Sequence, residues 1–183
     1  MDGIPASVSL RRRMVDPIRA ALAPNDPPYA QAPVGADPRH SAFSPDGRSL
    51  YVVNEMGGSA CAFAFFPERG VLSFRRTIST LPAGFHGSNV SAEIQVHPSG
   101  RFVYVANRIY DNSESSLAVF ARNPKTSTLR LVEIASCGGQ VPRNLGQSPD
   151  GRWLLPAIQK TAAMVVFRVD SVTDGLAPTG VNL

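Results

Sequence analysis

A four-residue turn signal recurs three times along the chain at near-constant spacing, and it limits the fold more than any other feature. Pro45-Asp46-Gly47-Arg48 returns as Pro98-Ser99-Gly100-Arg101, 53 residues on, and as Pro149-Asp150-Gly151-Arg152, 51 residues further. Proline presets φ at one turn position and glycine accepts the positive φ that follows, so each tetrad reads as a tight hairpin. An apolar, β-rich run follows each one: Ser49 to Val53, Phe102 to Ala106 and Trp153 to Leu155. A third run matches as well, at Ala60 to Phe65, Leu117 to Phe120 and Met164 to Phe167. A fourth stands at Val71 to Ile78 and Leu129 to Ile134, with only Leu176-Ala177-Pro178 in its place at the end. Four short strands in about 50 residues is the spacing of a β-propeller blade. No ten-residue stretch of the repeat shows helical periodicity.

The expected fold class is therefore all-β, with about three blades of four antiparallel strands over residues 33–80, 88–137 and 138–183. Residues 1–32 do not fit a blade. Val15 to Leu22 carries a weak helical pattern and Pro24 to Pro33 is rich in Pro and Ala, so this segment reads as a tail, linker or short helix. A closed propeller takes about four to eight blades, so three form an open arc or part of a larger ring. Such an arc is expected to leave open strand edges, a route to self-association. Pro156 falls within the second strand of the last unit, where a missing N–H is expected to interrupt the sheet.

Repeat alignment brings polar residues into register. Five positions before the turn proline stand His40, Glu93 and Asn144, and six before it Arg39, Ala92 and Arg143. Ten positions after it stand Glu55, Arg108 and Gln159, preceded by Asn54, Asn107 and Ile158. The innermost strand of each blade runs along the channel, so these positions are expected to meet at one mouth of it. A structural element tends to repeat itself. Different polar residues at one repeated position are what an asymmetric pocket on a pseudo-symmetric scaffold requires.

Other candidates reduce to structure. His97 precedes a turn proline where the other units carry Ser44 and Ser148, so it reads as a turn residue. His86, in Gly84-Phe85-His86-Gly87-Ser88, reads as a surface loop residue. Asp46 and Asp150 read as turn formers. No serine sits in a nucleophile elbow, and no Gly-rich phosphate loop precedes a helix. Cys61 and Cys137 lack metal-ligand neighbours at short spacing. A disulfide can be drawn between them, but a reducing cytosol is the simpler setting.

Composition narrows the partners. With 43% hydrophobic and 17% charged residues the chain is globular rather than disordered. A net charge of +4 fits a small anionic substrate and argues little for nucleic acid, since the arginines are scattered. The one basic run, Arg11-Arg12-Arg13, reads as a solvated tail. No run reaches membrane-helix length and the start lacks a hydrophobic signal core, so a cytoplasmic protein without membrane contact is expected. Asn89-Val90-Ser91 matches a glycosylation acceptor, which carries weight only in a secreted chain.

The segments "GADPRHSAFSPDGRSLYVVNE", "SAEIQVHPSGRFVYVANR" and "VPRNLGQSPDGRWLL" resemble three consecutive blades of the lactonase family of seven-bladed β-propellers. That family includes propeller-type 6-phosphogluconolactonases and, more distantly, fungal carboxymuconate-lactonizing enzymes. The resemblance runs from about Val34 to the C-terminus, and the family is about twice this long. It departs at Ile158, where the two counterparts are Asn. The resemblance implies hydrolysis of 6-phosphogluconolactone to 6-phosphogluconate, a step of glucose metabolism, without metal or cofactor. It matches His40, Glu93 and Arg143 as catalytic candidates and Arg39, Asn107, Arg108 and Asn144 as substrate-binding ones, and Glu55 joins the latter from the repeat register. Lactone opening needs a base for water, His40 or Glu93. It needs positive charge at the oxyanion, Arg143 or Arg108, and the remaining arginines suit a phosphate. Two alternatives stand: a muconate-type lactonizing enzyme, since arginine suits carboxylates too, and a non-catalytic propeller segment that binds a ligand or partner.

Overall fold

The computed structural model describes residues 9–16, 18–111, 114–173 and 175–183. The strands run β1 (Ser9–Asp16), β2 (Ala21–Gln31), β3 (Pro38–Phe43), β4 (Ser49–Asn54), β5 (Ser59–Phe66), β6 (Val71–Ser79) and β7 (Asn89–Val96). They continue as β8 (Phe102–Ile109), β9 (Ser116–Arg122), β10 (Leu129–Ser136), β11 (Pro142–Gln147), β12 (Trp153–Ile158), β13 (Ala163–Val169) and β14 (Leu176–Asn182). Three antiparallel sheets of four, β3 to β6, β7 to β10 and β11 to β14, each keep their strands in chain order. These are propeller blades, and they do not close into a ring.

The tetrads close the first hairpin of each blade for a visible reason. In the first, Asp46 Oδ1 accepts from Ser44 Oγ at 2.6 Å and from the Arg48 N–H at 3.0 Å, while Gly47 takes φ 65°. Asp150 repeats this with Ser148 and Arg152. His97 occupies the serine position of the second turn and does more than turn the chain. Its Nδ1 accepts from the Ser99 N–H at 3.1 Å, so Nε2 donates to Gly151 O of the next blade at 3.0 Å. Gly151 holds φ 73°, and a Cβ there would lie 2.2 Å from that Nε2, so a larger residue would be strained and would displace the His97 ring.

Stacking of blades supplies the core. Every residue of β4 and of β8 is buried, because each of these strands is covered on both faces. Tyr51 and Val53 meet Val103, Val105 and Phe120 of the second blade. Phe102, Tyr104 and Ala106 point the other way, against Leu154, Ile158 and Phe167 of the third. Each fully buried side chain of this size contributes about 1.5–3 kcal/mol. β12 alternates instead, with Leu154, Pro156 and Ile158 buried and Trp153, Leu155 and Ala157 half-buried, because none of the described residues covers its second face in full.

Three expectations are corrected here. Ser9–Asp16 and Ala21–Gln31 are neither tail nor helix: as β1 and β2 they pair antiparallel, and Ala30 packs with Ala32 and Ala36 on Leu50, Val52 and Phe63 of the first blade. The proline-rich stretch survives as strand because β2 pairs on one side only and Asn25 to Pro28 fall outside the register. Residues 1–8 lie outside the described residues. The arc ends in a sheet face, not in strand edges, since blades stack face to face. Finally, Pro156 leaves its strand continuous and interrupts the sheet on one side only. It lies opposite Leu145 in the ladder to β11, and only the ladder to β13 skips it.

Arg122 of β9 clamps the first two blades. Its buried guanidinium donates to Asp46 Oδ2 at 2.7 Å, Ser49 Oγ at 3.1 Å, Tyr51 OH at 3.2 Å and Gly100 O at 3.2 Å. Burial would push the Asp46 carboxyl up, but its bonds to Ser44, Arg122 and the Arg48 N–H outweigh that and hold it at about 2. Arg122→Ala should cost about 2–4 kcal/mol in urea unfolding, because the partners stay behind unpaired. A depressed carboxylate stabilises the fold above its unfolded value of 3.8, and that contribution is lost as pH falls toward about 2. Thermal melts across that window should therefore be less pH-dependent in Asp46→Asn than in the wild type.

Candidate active site

The innermost strands β3, β7 and β11 share one irregularity at one register. Arg39 and His40 oppose the single residue Val53, because Pro38 pairs with Asn54 and Ser41 with Val52. Ala92 and Glu93 likewise oppose Ala106, and Arg143 and Asn144 oppose Ala157. Each blade thus carries a β-bulge at the register that the repeat alignment singles out. A bulge adds a residue, bends its strand and re-aims side chains, so two consecutive residues can serve one site. Asp37 and Val141, each before the proline that opens its strand, hold φ of 51° and 63°. A β-branched residue at positive φ is strained, and here the strain adjoins the bulge.

Two carboxylates organise the rim. Glu93, only 8% exposed in its side chain, accepts at Oε2 from His40 Nδ1 at 2.9 Å and from Asn144 Nδ2 at 2.9 Å. Its Oε1 accepts from the Ile94 N–H at 2.9 Å. One oxygen therefore joins the equivalent residues of all three blades. Because a carboxylate oxygen accepts, His40 donates from Nδ1, and its side chain, 41% exposed, makes no other hydrogen bond among the described residues. Glu55 is the second node. It accepts from Arg39 Nη1 at 3.1 and 3.3 Å and from Arg108 Nη2. Burial would raise the Glu55 carboxyl, but the bonds and charges of Arg108 and Arg39 outweigh it and hold the value low.

The predicted site residues separate into two groups. Arg39, His40, Glu55, Glu93 and Asn144 are brought together, with Arg39 Nε tied to Ala92 O at 3.0 Å. Arg143 lies at the same bulge register, exposed, with Gln159 Oε1 at 3.4 Å. Arg108 and Asn107 differ from expectation. The Arg108 side chain is 4% exposed and donates to Val90 O, Ser91 O and Glu55, so it backs the rim rather than lining it. Asn107 is fully buried between blades. Its Nδ2 donates to Thr80 O at 2.6 Å, and its Oδ1 accepts from Thr80 Oγ1 and Ser91 Oγ, both at 2.9 Å. Asn54 is buried alike, on Ser59 and Cys61. These asparagines recur because they tie strands together, whereas Ile158 at the same register packs its side chain into the apolar core shared with the second blade. His86 is exposed in its loop. Burial pushes the Cys137 thiol up to about 11, which leaves it inert as a nucleophile. Among the described residues no group of three or more His, Cys, Asp or Glu is placed to hold a metal.

Residues 15–183 match the family described as "Lactonase, 7-bladed beta-propeller". The chain belongs to this lactonase family. It is 34% identical over 142 residues to the 6-phosphogluconolactonase of Bacillus subtilis, covering 78% of this chain and 40% of that protein. It is 30% identical over 159 residues to the 6-phosphogluconolactonase of Serratia proteamaculans, 87% of this chain and 46% of that one. The structure of the periplasmic gluconolactonase of Pseudomonas aeruginosa superposes with a TM-score of 0.86 at 33% identity, covering 96% of this chain and 48% of that one. The chain thus spans less than half the length of these relatives.

The buried network yields a test of what Asn107 does. Asn107→Ala removes a partner of Thr80 O, Thr80 Oγ1, Ser91 Oγ and Ser116 Oγ and should destabilise the chain by about 2–4 kcal/mol in chemical denaturation. The same change at exposed Asn144 should cost about 1 kcal/mol or less.

Proposed function

We propose that the rim hydrolyses a sugar lactone, with 6-phosphogluconolactone as substrate and 6-phosphogluconate as product. The observation that carries this is the His40–Glu93–Asn144 line, which holds His40 by Nδ1 and leaves its Nε2 edge without a protein hydrogen bond among the described residues, on a half-exposed side chain. That nitrogen takes a proton from water as the oxygen attacks the lactone carbonyl carbon. The carbonyl oxygen becomes an oxyanion, and Arg143 supplies the positive charge beside it. When the carbonyl re-forms, the ring C–O bond breaks, and the imidazolium returns its proton to the departing ring oxygen. Glu93 acts by holding the His40 ring and stabilising the imidazolium rather than as the base, since its own oxygens are committed. Arg39 faces the phosphate as a charge-assisted donor, with Glu55 and Arg108 fixing its position. The names of the relatives support the same substrate class.

The proposal places the protein in the cytosol, which suits two buried thiols that remain unpaired. Hydrolysis of 6-phosphogluconolactone by the purified protein, corrected for the spontaneous reaction, tests the reading. His40→Ala should lower kcat/KM by about 100-fold or more. Glu93→Gln should lower it by about 10–100-fold by misplacing the ring. A wild-type rate no faster than background would end the lactonase reading. Full activity in both variants would move the chemistry elsewhere.

A further inference from the structure

A second charged surface lies at the opposite end of the blades from the rim. The turns β3–β4, β5–β6 and β9–β10 all gather there. Between the outer part of the first blade and the β9–β10 turn of the second run two adjoining cavities of about 830 and 670 Å³, which share Pro124 and Lys125. Arg48, Arg75, Arg76, Arg122, Lys125 and Arg130 line this trough, against Asp46 and Glu68. That is six of the chain's 18 lysines and arginines and two of its 14 acidic residues. The excess of four equals the whole formal net charge of +4, so the rest of the sequence balances to zero.

Local geometry concentrates the charge. In a regular strand Arg75 and Arg76 would point to opposite faces. The β6 ladder to β5 carries a bulge there, with Ala62 paired to Arg76 and Phe63 to Phe74, and both arginines line the trough. Arg122 is spent on Asp46. Arg48, Arg75, Arg76, Lys125 and Arg130 form no ion pair among the described residues, and all five are exposed. The floor is apolar, with Phe65, Phe66 and Pro67 on one side and Pro124 and Leu129 on the other.

We propose that this trough binds an extended acidic polypeptide segment in which carboxylates alternate with apolar side chains. In an extended chain alternate side chains leave on opposite sides, so one set meets the floor while carboxylates reach the arginine forks. A single nucleic acid strand fits less well, because it needs a run of free aromatic faces. The Phe65 ring already stands edge-on to Phe43 at 5.2 Å, which leaves Phe66 alone. The rival explanation is that the cations only guard the outer strand β6 against edge pairing. Guarding requires charge on the edge but not a lined, apolar-floored trough shared by two blades.

The test is fluorescence anisotropy with a labelled peptide of about ten alternating Glu and Val residues, at about 50 mM salt and then higher. The expected result is saturable binding that weakens with salt. Arg75→Ala/Arg76→Ala/Arg130→Ala should lose at least about tenfold in affinity while keeping the wild-type melting temperature. Lys125→Glu, far from those backbone positions, should weaken binding independently. No binding by the wild type, or equal binding by both variants, overturns the proposal and leaves the cations as edge guards. Tighter binding of an oligothymidylate of the same length also overturns it. The readout needs no turnover, so it stands apart from the outcome at the rim.

Discussion

The fold depends on the need of each blade to have both faces of its second strand covered. A four-stranded sheet of alternating Val, Tyr and Phe has two apolar faces and no helix to bury either. β4 and β8 meet that need by lying between neighbours, and both are buried along their full length. Where a neighbour is lacking, as at β12, burial alternates along the strand. The β1–β2 ribbon covers the first blade in the same way. Face-to-face stacking also fixes the angular order of the blades, and that order brings distant residues to one rim.

Once blades stack in register, residues one repeat apart become neighbours. His40 and Glu93 are 53 residues apart and share a hydrogen bond, as Glu93 and Asn144 do at 51. Arg39 reaches Ala92 O across 53 residues, and Glu55 meets Arg108 across the same interval. Within a blade the second pairing recurs at a spacing of 16, Arg39 with Glu55 and Arg143 with Gln159. The site is thus a breaking of the repeat's own symmetry. Blade two carries Ala92 and Arg108 where blade one carries Arg39 and Glu55, so the one carboxylate is shared by both arginines. The half-neutralised arginine pair holds a fixed geometry at low net charge, while Arg143 stays exposed.

The same stacking separates two charged ends of the blades. At the rim, positive charge is tied into carboxylate nodes and aimed by bulges. At the turn end, a further bulge gathers unpaired arginines around an apolar trough. Bulges recur at both because an extra residue is the means by which a strand can present consecutive side chains to one place.

The sequence by itself determined the period, the turns, the four-strand unit and the register at which polar residues accumulate. Those follow from local rules: proline and glycine at fixed turn positions, and alternation along short apolar runs. The bulges left no local signal, because pairing two residues against one is a property of two strands together. Burial of Asn107 and Arg108 was equally hidden, since an asparagine that ties strands and one that touches a ligand occupy the same repeat position. The β1–β2 ribbon was hidden by its prolines, which are compatible with strand only where one edge is free. Tertiary structure alone decided which polar residues face outward, because exposure is set by the neighbouring blade. It also decided that Glu93 holds His40 and Asn144 together, because only stacking brings both onto one oxygen.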